Sequence, residues 1–142
     1  MVYLFANLSN YISAAITILY GLAYLIEPRL LDFHRGAGQM SWEKLNAGYQ
    51  TLILSLMRAV GGGAIASGCV GAILQYHFSE SLQSWMPLTI LISGAFVTTG
   101  TLYAMVLIRT KTKGRPPVPL VLTSLVLAVI GYLLNVHLAK EI

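Results

Sequence analysis

Apolar residues in this chain fall into four long blocks, separated by shorter polar or basic stretches. The blocks run from about 5 to 26, 52 to 75, 86 to 108 and 119 to 138. Each is near the ~20 residues that carry a helix across a hydrocarbon layer about 30 Å thick. The pattern predicts an all-α fold, an integral membrane four-helix bundle that forms a single domain over residues 1–142. In the first block Ser13, Thr17 and Gly21 recur every four residues and make a small-residue face toward a neighbouring helix. Glu27-Pro28-Arg29 ends that helix, because proline disfavours helical geometry in the residue before it. Ser41 is placed to cap the next helix, with Glu43 in its first turn. From Trp42 onward the apolar positions Leu45, Tyr49, Leu52, Ile53 and Leu56 keep a helical face. This helix is expected to start at the interface and run straight into the second span. Tyr76, His77 and Phe78 mark its far end. Trp85 and Pro87 open the third span, proline being tolerated in a first helical turn.

The second block carries two anomalies. Arg58 lies about two turns inside it, where a guanidinium costs roughly 2.5–3.5 kcal/mol at the centre of a span. Either Arg58 faces the bundle interior, to hold an anionic headgroup, a substrate carboxylate or an acidic side chain, or it snorkels to the nearer interface. Glu27, at the end of the first span, is the acidic partner in reach. The second anomaly is the run of glycines that follows. Ala59, Gly63, Ser67 and Gly71 are spaced four apart and form a smooth helix-packing stripe, widened by Gly61, Gly62 and Gly68. Poor helical propensity across Gly61 to Gly63 allows a bend, and a ligand-sized gap beside the glycines is the alternative use.

Charge adds an orientation. Only 10% of the 142 residues are charged and the formal net charge is +4, so the excess reads as loop bias rather than nucleic-acid binding. Arg109, Lys111, Lys113 and Arg115 sit in the third connection with no acidic residue among them, whereas the connection 79–84 holds no lysine or arginine. By the positive-inside rule the third connection is cytoplasmic, as is the first with Arg29, Arg35 and Lys44; both termini then lie outside. No basic n-region precedes the first span, and its length exceeds a signal h-region. Size and the lack of a presequence point to a prokaryotic inner membrane.

Candidate chemistry is thin. Cys69 is the only cysteine, which removes an intramolecular disulfide and any Cys-x-x-Cys pair and leaves a small packing residue. No acidic residue lies within a span, which argues against proton-coupled antiport. No Walker, HExxH or dinucleotide motif occurs, and Ser–His–Asp catalysis has no support. His77 and His137 end the second and fourth spans on the same side, so a haem or metal held between them is the one ligation to consider; interfacial polar residues are the ordinary reading. Tyr20 and Tyr24 share one face of the first span, Tyr24 placed to anchor at the interface and Tyr20 to pack. The hydroxyls of the third span, Thr98 among them, bond most simply to carbonyls of their own helix. No cofactor is indicated.

Gly21-x6-Pro28, followed by Leu56-x-Arg58-Ala-x-Gly61-Gly62-x-x-x-Ala66-x-Gly68, resembles the DoxX-like group of small bacterial membrane proteins and an uncharacterised family related to it. The resemblance covers about half of the chain. It implies a four-helix bundle and, in some members, association with membrane redox or thiosulfate–quinone chemistry. It would carry over Arg58, Gly61, Gly62 and Gly68.

Three functions remain open on the sequence. One is a non-enzymatic accessory or assembly protein that packs with itself as a homo-oligomer or with a larger membrane complex. Another is a lipid- or quinone-binding protein serving an oxidoreductase, with Arg58 on the polar head, Tyr20, Tyr24 and Thr98 lining the site and Glu27 beside it. The third is a small oligomeric transporter. All three place membrane lipid, and no nucleic acid, among the partners.

Overall fold

The structure is a computed structural model that describes residues 2–29, 31 and 41–140. Four helices account for most of it: α1 Val2–Ile26, α2 Ala47–Ser81, α3 Met86–Lys111 and α4 Val118–Lys140. All four are long and apolar enough to cross a membrane. The fold is an all-α four-helix bundle.

The helices pack in a ring in chain order, α1 against α2 and α4, and α3 against α2 and α4. Consecutive helices run antiparallel. Tyr3, at the start of α1, donates to the Ser79 carbonyl near the end of α2, while Arg58 near the start of α2 reaches the end of α1. Buried positions on α2 are Met57, Gly61, Ala64, Gly68, Gly71, Gln75 and Phe78, alternately four and three apart. Val121, Ser124, Ala128, Gly131 and Asn135 repeat the alternation on α4. A mean period near 3.5 residues is the seam of left-handed helix packing. The outward faces are apolar, with Phe96 and Tyr103 standing 80% and 72% exposed on α3, as suits helices long and apolar enough to cross a membrane.

Three details differ from the sequence expectations. Helix α2 does not begin at Ser41: Trp42–Lys44 is a single 3-10 turn, and α2 starts at Ala47 behind Asn46, whose Oδ1 accepts the Tyr49 N–H at 2.9 Å. Ser41 makes no side-chain cap; the better-placed asparagine satisfies the free N–H of the long helix instead. Helix α2 also runs past Gln75 to Ser81, 35 residues in all, so Gln75 is interior to it. Third, glycines 61–63 leave α2 unbroken. The close contact of Gly61 with α1 helps to hold that segment helical despite its poor propensity. Most of the first connection, with His34 and Arg35, lies outside the described residues. Pro87 is buried at the start of α3, in the first turn where its missing N–H is harmless.

Candidate functional site

Two polar assemblies occupy the ends of the α1–α2 seam, with a dry contact between them. At the first, the Arg58 Nη1 group donates to the main-chain oxygens of Tyr24 and Glu27, 2.9 Å each. Those carbonyls belong to the end of α1, where helix geometry leaves acceptors unpaired. Arg58 is half-buried and closes the end of a neighbouring helix. This resolves the anomaly in a third way: the guanidinium neither snorkels freely nor meets an acid. Arg58 does meet Glu27, but through the peptide oxygen, and among the described residues no carboxylate pairs with it.

Next to Arg58 the two backbones touch. A Cβ on Gly21 would lie 2.7 Å from the Gly61 oxygen, and one on Gly61 would lie 2.7 Å from the Gly21 oxygen. Further along α2, a Cβ on Gly68 would meet the Ala14 oxygen at 2.9 Å. Only glycine permits this approach. The close stripe is therefore Gly61–Ala64–Gly68, not Ala59–Gly63–Ser67–Gly71. Ala59 and Gly63 face outward, and nothing lies within 4 Å of a Cβ on Gly62, Gly63 or Gly71. A strict step of four drifts around a 3.6-residue helix, whereas alternating steps of four and three stay on the seam. Ser67 is engaged elsewhere: its hydroxyl donates to the Ser93 carbonyl of α3 at 3.0 Å.

At the opposite end Gln75 is completely buried and gathers three asparagines. Its Oε1 accepts from Asn10 Nδ2 at 2.7 Å and from Asn135 Nδ2 at 2.8 Å; its Nε2 donates to Asn7 Oδ1 at 2.5 Å. Ser79 donates to the same Asn7 oxygen. Gly131 leaves room for the Asn10 carboxamide, which a Cβ there would overlap. Two buried acceptors, Asn10 Oδ1 and Asn135 Oδ1, have no donor. Reversing all four amides would exchange the two idle acceptors for two idle NH2 groups, so the cluster keeps two open ends in either setting. Toward mid-bundle, Ser13 donates to the Ser124 carbonyl at 2.8 Å, and Thr17 to the Ser13 carbonyl at 2.9 Å. The small-residue face of α1 thus splits: Ser13 and Thr17 meet α4, and Gly21 meets α2.

The carboxamide cluster is not evident along the chain, where Gln75 and Asn135 read as residues near span ends. The available signal is the row Asn7, Asn10, Ser13, Thr17 on one face of α1. Carboxamides at that spacing in a span have to face protein, since lipid offers no hydrogen bonds.

Tyr20 and Thr98 line one interior cavity of about 10 Å³, with Thr17, Thr101 and Ser124. A second, of about 20 Å³, lies among Asn10, Ser13, Ser67, Gly71 and Ser93. Both are of the order of one water molecule. The Thr98 hydroxyl donates to Gly94 O at 2.8 Å in its own helix. Tyr24 is buried rather than anchored at the interface; its ring centroid lies 4.6 Å from that of Tyr20. Arg58 thus meets Tyr24 and Glu27 through their main-chain oxygens only, while the Tyr24 ring lies with Tyr20, which lines the Thr98 cavity. His77 and His137 are both exposed, His77 Nδ1 standing 4.0 Å from a Glu80 oxygen. Among the described residues no three His, Cys, Asp or Glu side chains are grouped to hold a metal ion. No protein-family model, curated protein or solved structure matches this chain.

Proposed function

We propose that this protein is a non-enzymatic accessory or assembly component of a membrane, which acts by packing with a second copy of itself or with a larger membrane complex. The observation that carries this reading is the outer face of α2. Ala59, Gly62, Ala66 and Cys69 lie at helical spacing on it, all exposed, with Gly63 beside them. Each glycine costs a helix about 1 kcal/mol relative to alanine. Gly61 and Gly68 offset that cost by letting α1 approach, but Gly62 and Gly63 receive nothing from their own chain. A smooth outward strip is what a partner helix needs for close contact in lipid. The resemblance to the DoxX-like group agrees with a bundle of this kind, and Arg58, Gly61 and Gly68, which help to carry it, all lie at the α1–α2 contact.

The quinone- or lipid-binding reading receives less support. Arg58 already satisfies two carbonyls, and the cavity beside Tyr20 and Thr98 is far below the several hundred Å³ of a ligand pocket. The proposed setting is a prokaryotic inner membrane with the α3–α4 connection in the cytoplasm and both termini outside.

Cys69 supplies the test, because it is the sole thiol and lies on the proposed contact face. Thiol cross-linking in native membranes should give a dimer or a defined adduct with a larger subunit. Gly63→Leu should abolish that product while the isolated protein melts as before. A protein that stays monomeric and uncross-linked in its own membrane, and is indifferent to Gly63→Leu, would refute the reading.

A further inference from the structure

The α3–α4 connection is basic by sequence, and its shape adds a new observation. Arg109, Thr112, Lys113, Gly114, Arg115 and Pro116 line an open cavity of about 580 Å³. The walls are set by local bonds. Thr112 ends α3, its N–H donating to the Ile108 carbonyl at 2.9 Å, and its Oγ1 accepts the Gly114 N–H at 3.1 Å. From there exposure alternates: Lys113 and Arg115 are exposed, Gly114 and Pro116 are buried. Lys113 and Arg115 both line the cavity, and the small buried residues Gly114 and Pro116 form part of its floor. Arg109, in the last turn of α3, supplies the third cation. Among the described residues no acidic side chain lines the cavity, and none of the three cations has a carboxylate partner. The last carbonyls of α3 carry partial negative charge only, so among the described residues most of the positive charge is uncompensated.

We infer that this connection is a cradle for a phosphate-bearing anion, presented there by the headgroup of an anionic phospholipid. Three observations converge on that class. Guanidinium groups match phosphate oxygens in a forked geometry. The cavity is open and large enough to admit a headgroup from the side. The cradle also sits at the end of two membrane-length helices, where lipid phosphates lie. It is separate from the α2 face and holds whether or not that face has a partner.

The experiment uses the full chain in mild detergent, titrated with phosphatidylglycerol, phosphatidylcholine or soluble glycerophosphate and read by native mass spectrometry. Phosphatidylglycerol should bind at least about tenfold more tightly than phosphatidylcholine, with the preference collapsing as salt is raised. Lys113→Gln and Arg115→Gln should each weaken it about fivefold, the effect expected for one cation at a membrane surface. Lys111→Gln is the comparison that matters: Lys111 is exposed on the same segment but does not line the cavity, and its loss should cost less than about twofold. Glycerophosphate, which lacks the lipid anchor, should compete only weakly; binding of glycerophosphate as tight as that of phosphatidylglycerol would make a free phosphate ester the occupant and overturn the headgroup assignment. Equal binding of the two phospholipids, a salt-independent preference, or a Lys111→Gln effect equal to that of Lys113→Gln would each overturn the cradle.

Discussion

The seam between α1 and α2 joins the same two helices by opposite means at its two ends. Near Arg58 the chains meet backbone to backbone, across Gly21, Gly61 and Gly68, with no room for a methyl group. Near Gln75 they stand far enough apart to hold carboxamides between them, and α4 joins through Asn135. The first end gains dispersion from close contact and depends on shape. The second gains hydrogen bonds and depends on every partner being present. In lipid neither end draws on the hydrophobic effect, which leaves packing and polar bonding as the two ways to hold helices together. The contrast teaches that a tight seam and a polar seam fail differently: one is broken by adding atoms, the other by removing them.

The largest effect should come from filling the close backbone contact. Gly61→Leu places its first side-chain carbon against the Gly21 oxygen and the Leu25 nitrogen, both backbone atoms that cannot turn aside. The helices must separate, at a cost of about 3 kcal/mol or more, measured as lost resistance to denaturing detergent or a lower Tm. Gln75→Leu should come second. It removes three interhelical bonds and strands Asn10 and Asn135, while Asn7 keeps the Ser79 donor; bonds of this kind in membranes are worth about 0.6–1.7 kcal/mol each, and a loss near ~2 kcal/mol is expected. A Gln75→Leu protein as stable as the parent would show that the polar end contributes specificity rather than stability.

Arg58→Leu should cost about 1–2 kcal/mol, the worth of two hydrogen bonds from a charged donor less the relief of burying it. Hydrogen exchange should then rise at the last turn of α1 before anywhere else. Smallest is Gly63→Ala. With nothing within 4 Å of its Cβ, this change should leave the isolated protein unaltered or raise its stability by up to about 1 kcal/mol through helix propensity. Gly61→Ala, two residues away, should destabilise. Equal effects from these two alanines would erase the distinction between the inner and outer faces of α2.

Much of the fold is legible in the residues themselves. Block length and apolarity are local properties that the bilayer imposes on each segment separately. The four helices, the third and fourth spans within a few residues of their ends, and Pro87 at a helix start can all be read from them. Helix ends governed by capping are harder, as Asn46 shows: whether Ser41 or Asn46 closes the N-terminus of α2 depends on a side-chain geometry that both residue types permit. Of the candidate site, Arg58 stands out because a charge in an apolar block is conspicuous. Its use does not, because the Tyr24 and Glu27 oxygens belong to the backbone, which every sequence supplies alike.

The residues alone determined that this chain forms four helices long and apolar enough to cross a membrane, and that one cation and a run of glycines fall in the second of them. Tertiary structure decided which glycines are needed inside. Gly61 and Gly63 are chemically identical, yet they point to opposite sides, because the facing backbone of α1 sets the seam and a helix turns about 100° per residue. It also decided that Asn7, Asn10, Gln75 and Asn135, scattered over the chain, become one cluster. Polar groups shut out of water must find one another, and only the packing of three helices determines where they meet.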